Sequence, residues 1–279
     1  KSNILLEWNE LESAATAARC GVALAEQWRQ TDAYHFALSC LSQALGAAGE
    51  FEEAFAVNQR AMQVALTISP WYARISEENE ITLLLAKGDV LAAANKFSGF
   101  VYTSEDDRIH EPLLMEVSLL YQQNLFLDVI NRLNNTFDDL HHKGWDLLRI
   151  KLMPIQALSL QALGRTEEAL QVLEQCLAAA EPEGYIRIFV KWGAPMASLL
   201  KSIKGRGVNM EYTTKLLAAF DLPEKSLDSG KTGSFPLRSA CTSLIEPLSE
   251  RELEVLRLLN SHLAVPEIAS DMLIAPTTL

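Results

Sequence analysis

Three sets of residues are of types that chemistry needs. His141 and His142 carry imidazoles, Glu105, Asp106 and Asp107 gather carboxylates, and Cys20, Cys40, Cys176 and Cys241 carry thiols. Spacing argues against a site in each set. Adjacent helical residues point in different directions and no third ligand stands near, so the histidine pair reads as surface or cap. The acidic triplet reads as a solvated loop whose charges favour the start of the next helix. The cysteines form no C-x-x-C pair and lie far apart, which suits a reducing cytosol better than a disulfide framework or a zinc site. No Ser, His and acid cluster, paired-carboxylate motif or reactive-cysteine setting occurs, so the chain is expected not to be an enzyme. No G-x-x-x-x-G-K-[ST] occurs either, so no phosphate cradle and no ATP are expected within it. Trp8, Trp28, Trp71, Tyr72, Trp145, Tyr185 and Trp192 offer stacking faces, yet at helical spacing such residues read mainly as core. Trp71 and Tyr72, just after Pro70 at a helix start, are the pair expected to be partly exposed.

The elements that would position any site follow from the rest of the chain. With 279 residues, 49% of them hydrophobic, a large buried core is available. The formal charge of -12 argues against a broad nucleic-acid surface, because phosphate binding runs on clustered Lys and Arg. No apolar run reaches the ~18 residues that cross a bilayer, and no signal peptide, no membrane association and a cytoplasmic setting are expected. The first residue is Lys, and a fragment of a longer protein is expected.

An internal repeat organises the first two thirds. Asn9, Gly49, Gly88, Asn124 and Gly164 recur at steps of 40, 39, 36 and 40. Four positions before each stands Leu5, Leu45, Leu84, Leu120 or Leu160; five after each stands Ala14, Ala54, Ala93, Val129 or Ala169. Leu11, Phe51, Val90, Phe126 and Thr166 follow two after, and Gly21, Ala61, Phe100, Thr136 and Cys176 twelve after. Each unit predicts two antiparallel helices. Gly or Asn takes the left-handed conformation that ends the first helix, and the small column lets the pair cross closely.

The pattern resembles a tetratricopeptide array with units a few residues longer than the usual 34. Helices are expected over 32–48 and 50–67, 70–87 and 89–101, 109–123 and 125–142, and 145–163 and 165–180, with unit one lacking most of its first helix. The fold implied is all-α: a tetratricopeptide-like right-handed superhelix over 1–220, whose first helices line a hollow. In that register Gln43, Glu78, Thr82, Glu111, Ser118, Tyr121 and Lys151 would face a small-molecule or protein effector, with Ser39 and Gln161 beside them. A capping helix is expected over 209–220, then a Ser-, Gly- and Pro-rich linker over 221–247.

Residues 248–279 carry a second pattern. Leu253, Leu256 and Leu259 fall at helical spacing behind Ser249 and Glu252, a capping box. A short break precedes a second apolar-faced piece, and Pro276 suits the first position of a third helix. Leu248, Ser249, Arg251, Glu252, Val255, Leu256, Glu267, Ile268, Ala269, Pro276 and Thr278 resemble the DNA-binding domain of LuxR-type regulators. His262, Ala264 and Ala275 depart from that family's turn glycine and caps. The helix-turn-helix is expected to be truncated, with Thr277 and Thr278 as its DNA-facing residues and no specific DNA binding by the chain as it stands.

Residues 181–203, directly behind the repeats, are similar to the end of the array in MalT-like, large ATP-dependent LuxR-type regulators. That resemblance implies an effector-sensing superhelix that controls self-association and a DNA-binding domain, with ATP held only by an N-terminal module outside this chain. The alternative is a protein-interaction scaffold whose helix-turn-helix is degenerate.

Overall fold

A computed structural model describes residues 1–100, 111–134, 136–137, 140, 146–207 and 209–221. All of them belong to one unit, Lys1–Lys231. Thr277, Thr278 and the whole expected helix-turn-helix lie outside the described residues, as do all but the first residue of the expected linker and the side chain of Glu111.

Among the described residues there are thirteen α-helices and no strand. In chain order they are α1 (Ser2–Glu7), α2 (Leu11–Gln27), α3 (Thr31–Ala47), α4 (Phe51–Ile68), α5 (Pro70–Lys87), α6 (Val90–Ser98), α7 (Glu111–Gln122), α8 (Phe126–Asn134), α9 (Asp146–Ala162), α10 (Thr166–Ala180), α11 (Arg187–Val190), α12 (Gly193–Gly205) and α13 (Met210–Asp221). The hairpins α1–α2, α3–α4, α5–α6, α7–α8 and α9–α10 are the five units read from the repeat.

Each hairpin turns by the same device. Asn9, Gly49, Gly88, Asn124 and Gly164 have φ of 61°, 83°, 84°, 60° and 78°. One residue on, the backbone N–H of Glu10, Glu50, Asp89, Leu125 or Arg165 returns to the carbonyl of Leu5, Leu45, Leu84, Leu120 or Leu160 at 2.8–3.0 Å. This six-residue closure satisfies carbonyls that a helix end leaves orphaned. The leucine column therefore serves twice, through its side chain in the seam and through its carbonyl in the turn. Five residues past each turn, Ala14, Ala54, Ala93, Val129 and Ala169 are all 0% exposed, each at the crossing of its hairpin.

The joints between units use other chemistry. Arg29, at φ 53°, carries the chain from α2 into α3, and the Gln30 N–H returns to the Ala25 carbonyl at 3.1 Å. Between α4 and α5 the extended Ser69 precedes Pro70, whose fixed φ suits a first helical position. Inside α9, Pro154 lacks the N–H that would bond the Ile150 carbonyl four residues back. The Cys176 thiol of α10 donates to that carbonyl instead, at 3.6 Å.

The core is a series of local clusters. Ala14, Ala18, Leu41, Leu45 and Leu83 form one near the N-terminus. Val117, Leu133, Leu152 and Ile155 form another in the middle. The largest joins α9 and α10 to α11–α13 through Leu173, Leu177, Phe189, Met196 and Leu200. Such nearest-neighbour burial is what a repeat array requires. α13 covers its last apolar face with the buried Tyr212 and Leu216, and the Tyr212 hydroxyl donates to the Tyr185 carbonyl.

One expectation needs correction. Trp8 and Trp28, read mainly as core, are 43% and 66% exposed; both are C-cap residues beyond the packed length of a helix, Trp8 in the turn of the first hairpin and Trp28 at its end. Trp71, at 41%, is partly exposed as expected. Cys40 and Cys176 are free thiols.

Candidate functional site

The first helices of the units line a hollow with two connected lobes. The first lobe, about 440 Å³, is lined by Ser39 and Gln43 of α3, Glu78 and Thr82 of α5, and Lys151 of α9. The second, about 460 Å³, is lined by Thr82, by Ser118 and Tyr121 of α7, and by Trp192. Gly46, Ala47, Thr82, Ala86, Leu114, Arg187 and Lys191 line both, so the lobes meet at a waist of mainly small side chains.

Six of the seven side chains expected to face inward are therefore brought together: Gln43, Glu78, Thr82, Ser118, Tyr121 and Lys151. Gln161 is not among the lining residues. It is exposed in the last turn of α9, where its carbonyl receives the Gly164 N–H.

Sequence reasoning missed the wall that closes the hollow. α1 packs against the segment behind the fifth hairpin, so the array meets itself. The Ile186 N–H donates to the Glu7 carbonyl at 2.8 Å, and the Trp8 indole N–H to the Glu183 carbonyl at 3.1 Å. The Arg187 guanidinium donates to Asn9 Oδ1 at 3.2 Å and to the Ala47 carbonyl at 2.8 Å. Lys151 Nζ lies 2.9 Å from Glu7 Oε1, with both side chains mostly covered. The turn residues Asn9 and Gly184 were visible in the sequence as breaks, but nothing local shows that the segments around them meet.

Behind the first lobe runs a buried polar chain. His35 Nε2 pairs with Ser76 Oγ at 2.9 Å, Asn58 Nδ2 donates to the Ser76 carbonyl at 2.9 Å, and Asn79 Nδ2 donates to Asn58 Oδ1 at 2.8 Å. It ties α3, α4 and α5 together directly behind the lining residue Asn79. Burial pushes the His35 imidazole below its ordinary pKa and the Tyr121 phenol and Cys40 thiol above theirs, because each charged form loses hydration. Phe36 and Trp71, which line the first lobe, meet each other and Tyr72 edge-to-face, with centroids 4.8–6.1 Å apart. Among the described residues no group of three His, Cys, Asp or Glu is placed to hold a metal ion. The site offers hydrogen bonds, ring edges and charge to a bound molecule.

The model of the MalT-like TPR region matches residues 1–206. The chain belongs to the MalT-like TPR family. No curated protein matches it. The matched span takes in all five hairpins, α11 and α12, so the hollow and the wall that closes it both lie within the MalT-like region. TPR-like regions generally mediate protein or ligand interaction. Among the described residues no helix is long and apolar enough to cross a membrane.

Proposed function

We propose that this MalT-like region is the effector-sensing part of a transcription regulator. A small molecule occupies the hollow, and its binding controls self-association and a C-terminal DNA-binding domain. One observation carries the reading: within the family-matched span, side chains from α3, α5, α7 and α9 converge on a cavity of metabolite size. A ligand there contacts several units and the closing segment at once. It therefore acts by stabilising one arrangement of the units over others. The role assigned to the hollow is binding, with Gln43, Glu78, Thr82, Ser118, Tyr121 and Lys151 as contacts. ATP belongs to a separate module, and DNA contact belongs to the LuxR-like residues, with Thr277 and Thr278 among them.

Thermal-shift screening of the full chain against small metabolites tests this. A true effector raises the melting temperature in a saturable way, and Thr82→Trp abolishes the rise. Thr82 is exposed at the waist, so the large side chain blocks both lobes without entering the core. A shift that survives Thr82→Trp would place the ligand elsewhere and refute the reading.

A further inference from the structure

We infer that the wall of the first lobe built by α3 and α5 recognises a donor-only nitrogen on the effector, the –NH2 of an amide or an ammonium. This rests on the effector reading above and deepens it.

Ser39, Asn79 and Thr82 of that wall have their donors in use and only acceptors left. The Ser39 hydroxyl donates to the His35 carbonyl and the Thr82 hydroxyl to the Glu78 carbonyl, each one turn back in its own helix at 3.0 Å. A hydroxyl has a single hydrogen, so each oxygen keeps lone pairs and has nothing further to give. Asn79 reaches the same condition through the buried polar chain. The Ser76 carbonyl can only accept, which sets Asn58 Nδ2 towards it and Asn58 Oδ1 towards Asn79. Asn79 must then present its own Nδ2, and its Oδ1 is left over. That oxygen is closed to bulk water and has no hydrogen-bond partner among the described residues, on a side chain that is 3% exposed. A buried orphan acceptor calls for an explanation, and Asn79 lines the first lobe together with Ser39 and Thr82.

The contact of His35 with Ser76 fixes the register of α3 against α5, and Gly46 lets Leu83 approach closely further on, so the two helices run in the same sense. One turn past His35 and Ser76 stand Ser39 and Asn79, and Thr82 follows three positions after Asn79 on the same face of α5. The three acceptors therefore belong to one wall. A ligand hydroxyl set against it brings lone pairs that the wall cannot serve. An amide or ammonium nitrogen brings several hydrogens and no acceptor, which is the complement this wall requires. Held there, it also meets the Asn79 oxygen that solvent does not serve. Phe36 and Trp71 line the same lobe and supply ring surface for an apolar body.

The test uses the full chain and two near-isosteric pairs of probes, each titrated calorimetrically. Benzamide against acetophenone exchanges –NH2 for –CH3, and benzylamine against benzyl alcohol exchanges –NH3⁺ for –OH. The nitrogen compound of at least one pair is expected to bind about tenfold more tightly, the scale of one hydrogen bond to a group otherwise left unsatisfied. Preference in the first pair marks a neutral amide as the group recognised, and preference in the second marks an ammonium. Ser39→Ala and Thr82→Val each remove one acceptor and should shrink the preference while leaving the affinity for acetophenone or benzyl alcohol unchanged; the variants' melting temperatures control for folding. No preference in either pair, no binding of any probe, or a preference that both variants leave intact would each overturn the inference. Probes that bind without preference for nitrogen and are blocked by Thr82→Trp would leave the effector reading standing while this inference falls. A preference that survives Thr82→Trp would place the ligand outside the hollow and sink both.

Discussion

Arg187 Nη2 donates a hydrogen bond to the carbonyl oxygen of Ala47 at 2.8 Å, joining the segment behind the fifth hairpin to the end of α3 across 140 positions of sequence. With the bond to Asn9 Oδ1, this one side chain holds three parts of the array together. Arg187→Ala removes both bonds and leaves the half-covered acceptors without their donor. A loss of about 1–3 kcal/mol is expected, read as a lower urea midpoint with an unchanged m-value. Arg187→Lys should recover only part of it, because an ammonium cannot present two fixed donors in one plane. Wild-type stability in Arg187→Ala would show that the closure contributes nothing.

The ion pair of Lys151 with Glu7 supports the same closure from α9. A double-mutant cycle of Glu7→Gln and Lys151→Gln should give a coupling of about 0.5–1 kcal/mol that shrinks at high salt. A coupling indistinguishable from zero at low salt would mean that the pair is only geometric.

Gly88 isolates the cost of the turn conformation. Its φ is 84°, and a Cβ placed there meets nothing within 4 Å. Gly88→Ala should therefore destabilise by about 1 kcal/mol through backbone strain alone, measured by chemical denaturation. Asn124→Gly, at φ 60°, should be neutral or stabilising in the same assay. A neutral Gly88→Ala would contradict the shared turn geometry.

Asn58 is the centre of the buried polar chain, 2% exposed, and it serves Ser76 and Asn79 together. Asn58→Ala leaves a buried carbonyl and a buried amide unpaired, and a loss of about 2–4 kcal/mol is expected. Thermal unfolding would measure it, and a loss below 1 kcal/mol (about one net hydrogen bond) would show that water replaces the amide.

His35 makes stability depend on pH. Its folded pKa lies below the ordinary 6.5 because burial disfavours the imidazolium. The unfolded chain therefore binds the proton more readily than the folded one. Its contribution is present above pH 6.5, the unfolded value, and is lost as pH falls below it towards the folded pKa, with a limiting slope of about 1.4 kcal/mol per pH unit. The melting temperature should fall between about pH 7 and pH 5, and His35→Gln should flatten the profile. An equally steep profile in the variant would assign the effect to other groups.

Residue spacing determined the five hairpins and their turns, and the resemblance to a tetratricopeptide array added a few residues of the hollow's lining. A left-handed turn, a returning carbonyl and a close helix crossing are local demands that recur every 36 to 40 residues, so Asn9, Gly49, Gly88, Asn124 and Gly164 mark them without any tertiary information. The register that this resemblance implies placed Gln43, Thr82, Ser118 and Lys151 on the inward face. Only the tertiary structure decided that the array meets itself, and with that the membership of Glu7, Arg187 and Lys191 in the hollow. Those contacts join positions up to about 180 apart through a backbone amide, an indole and a guanidinium, and follow no period. They depend on how small rotations between successive hairpins add up, a sum that no single repeat contains.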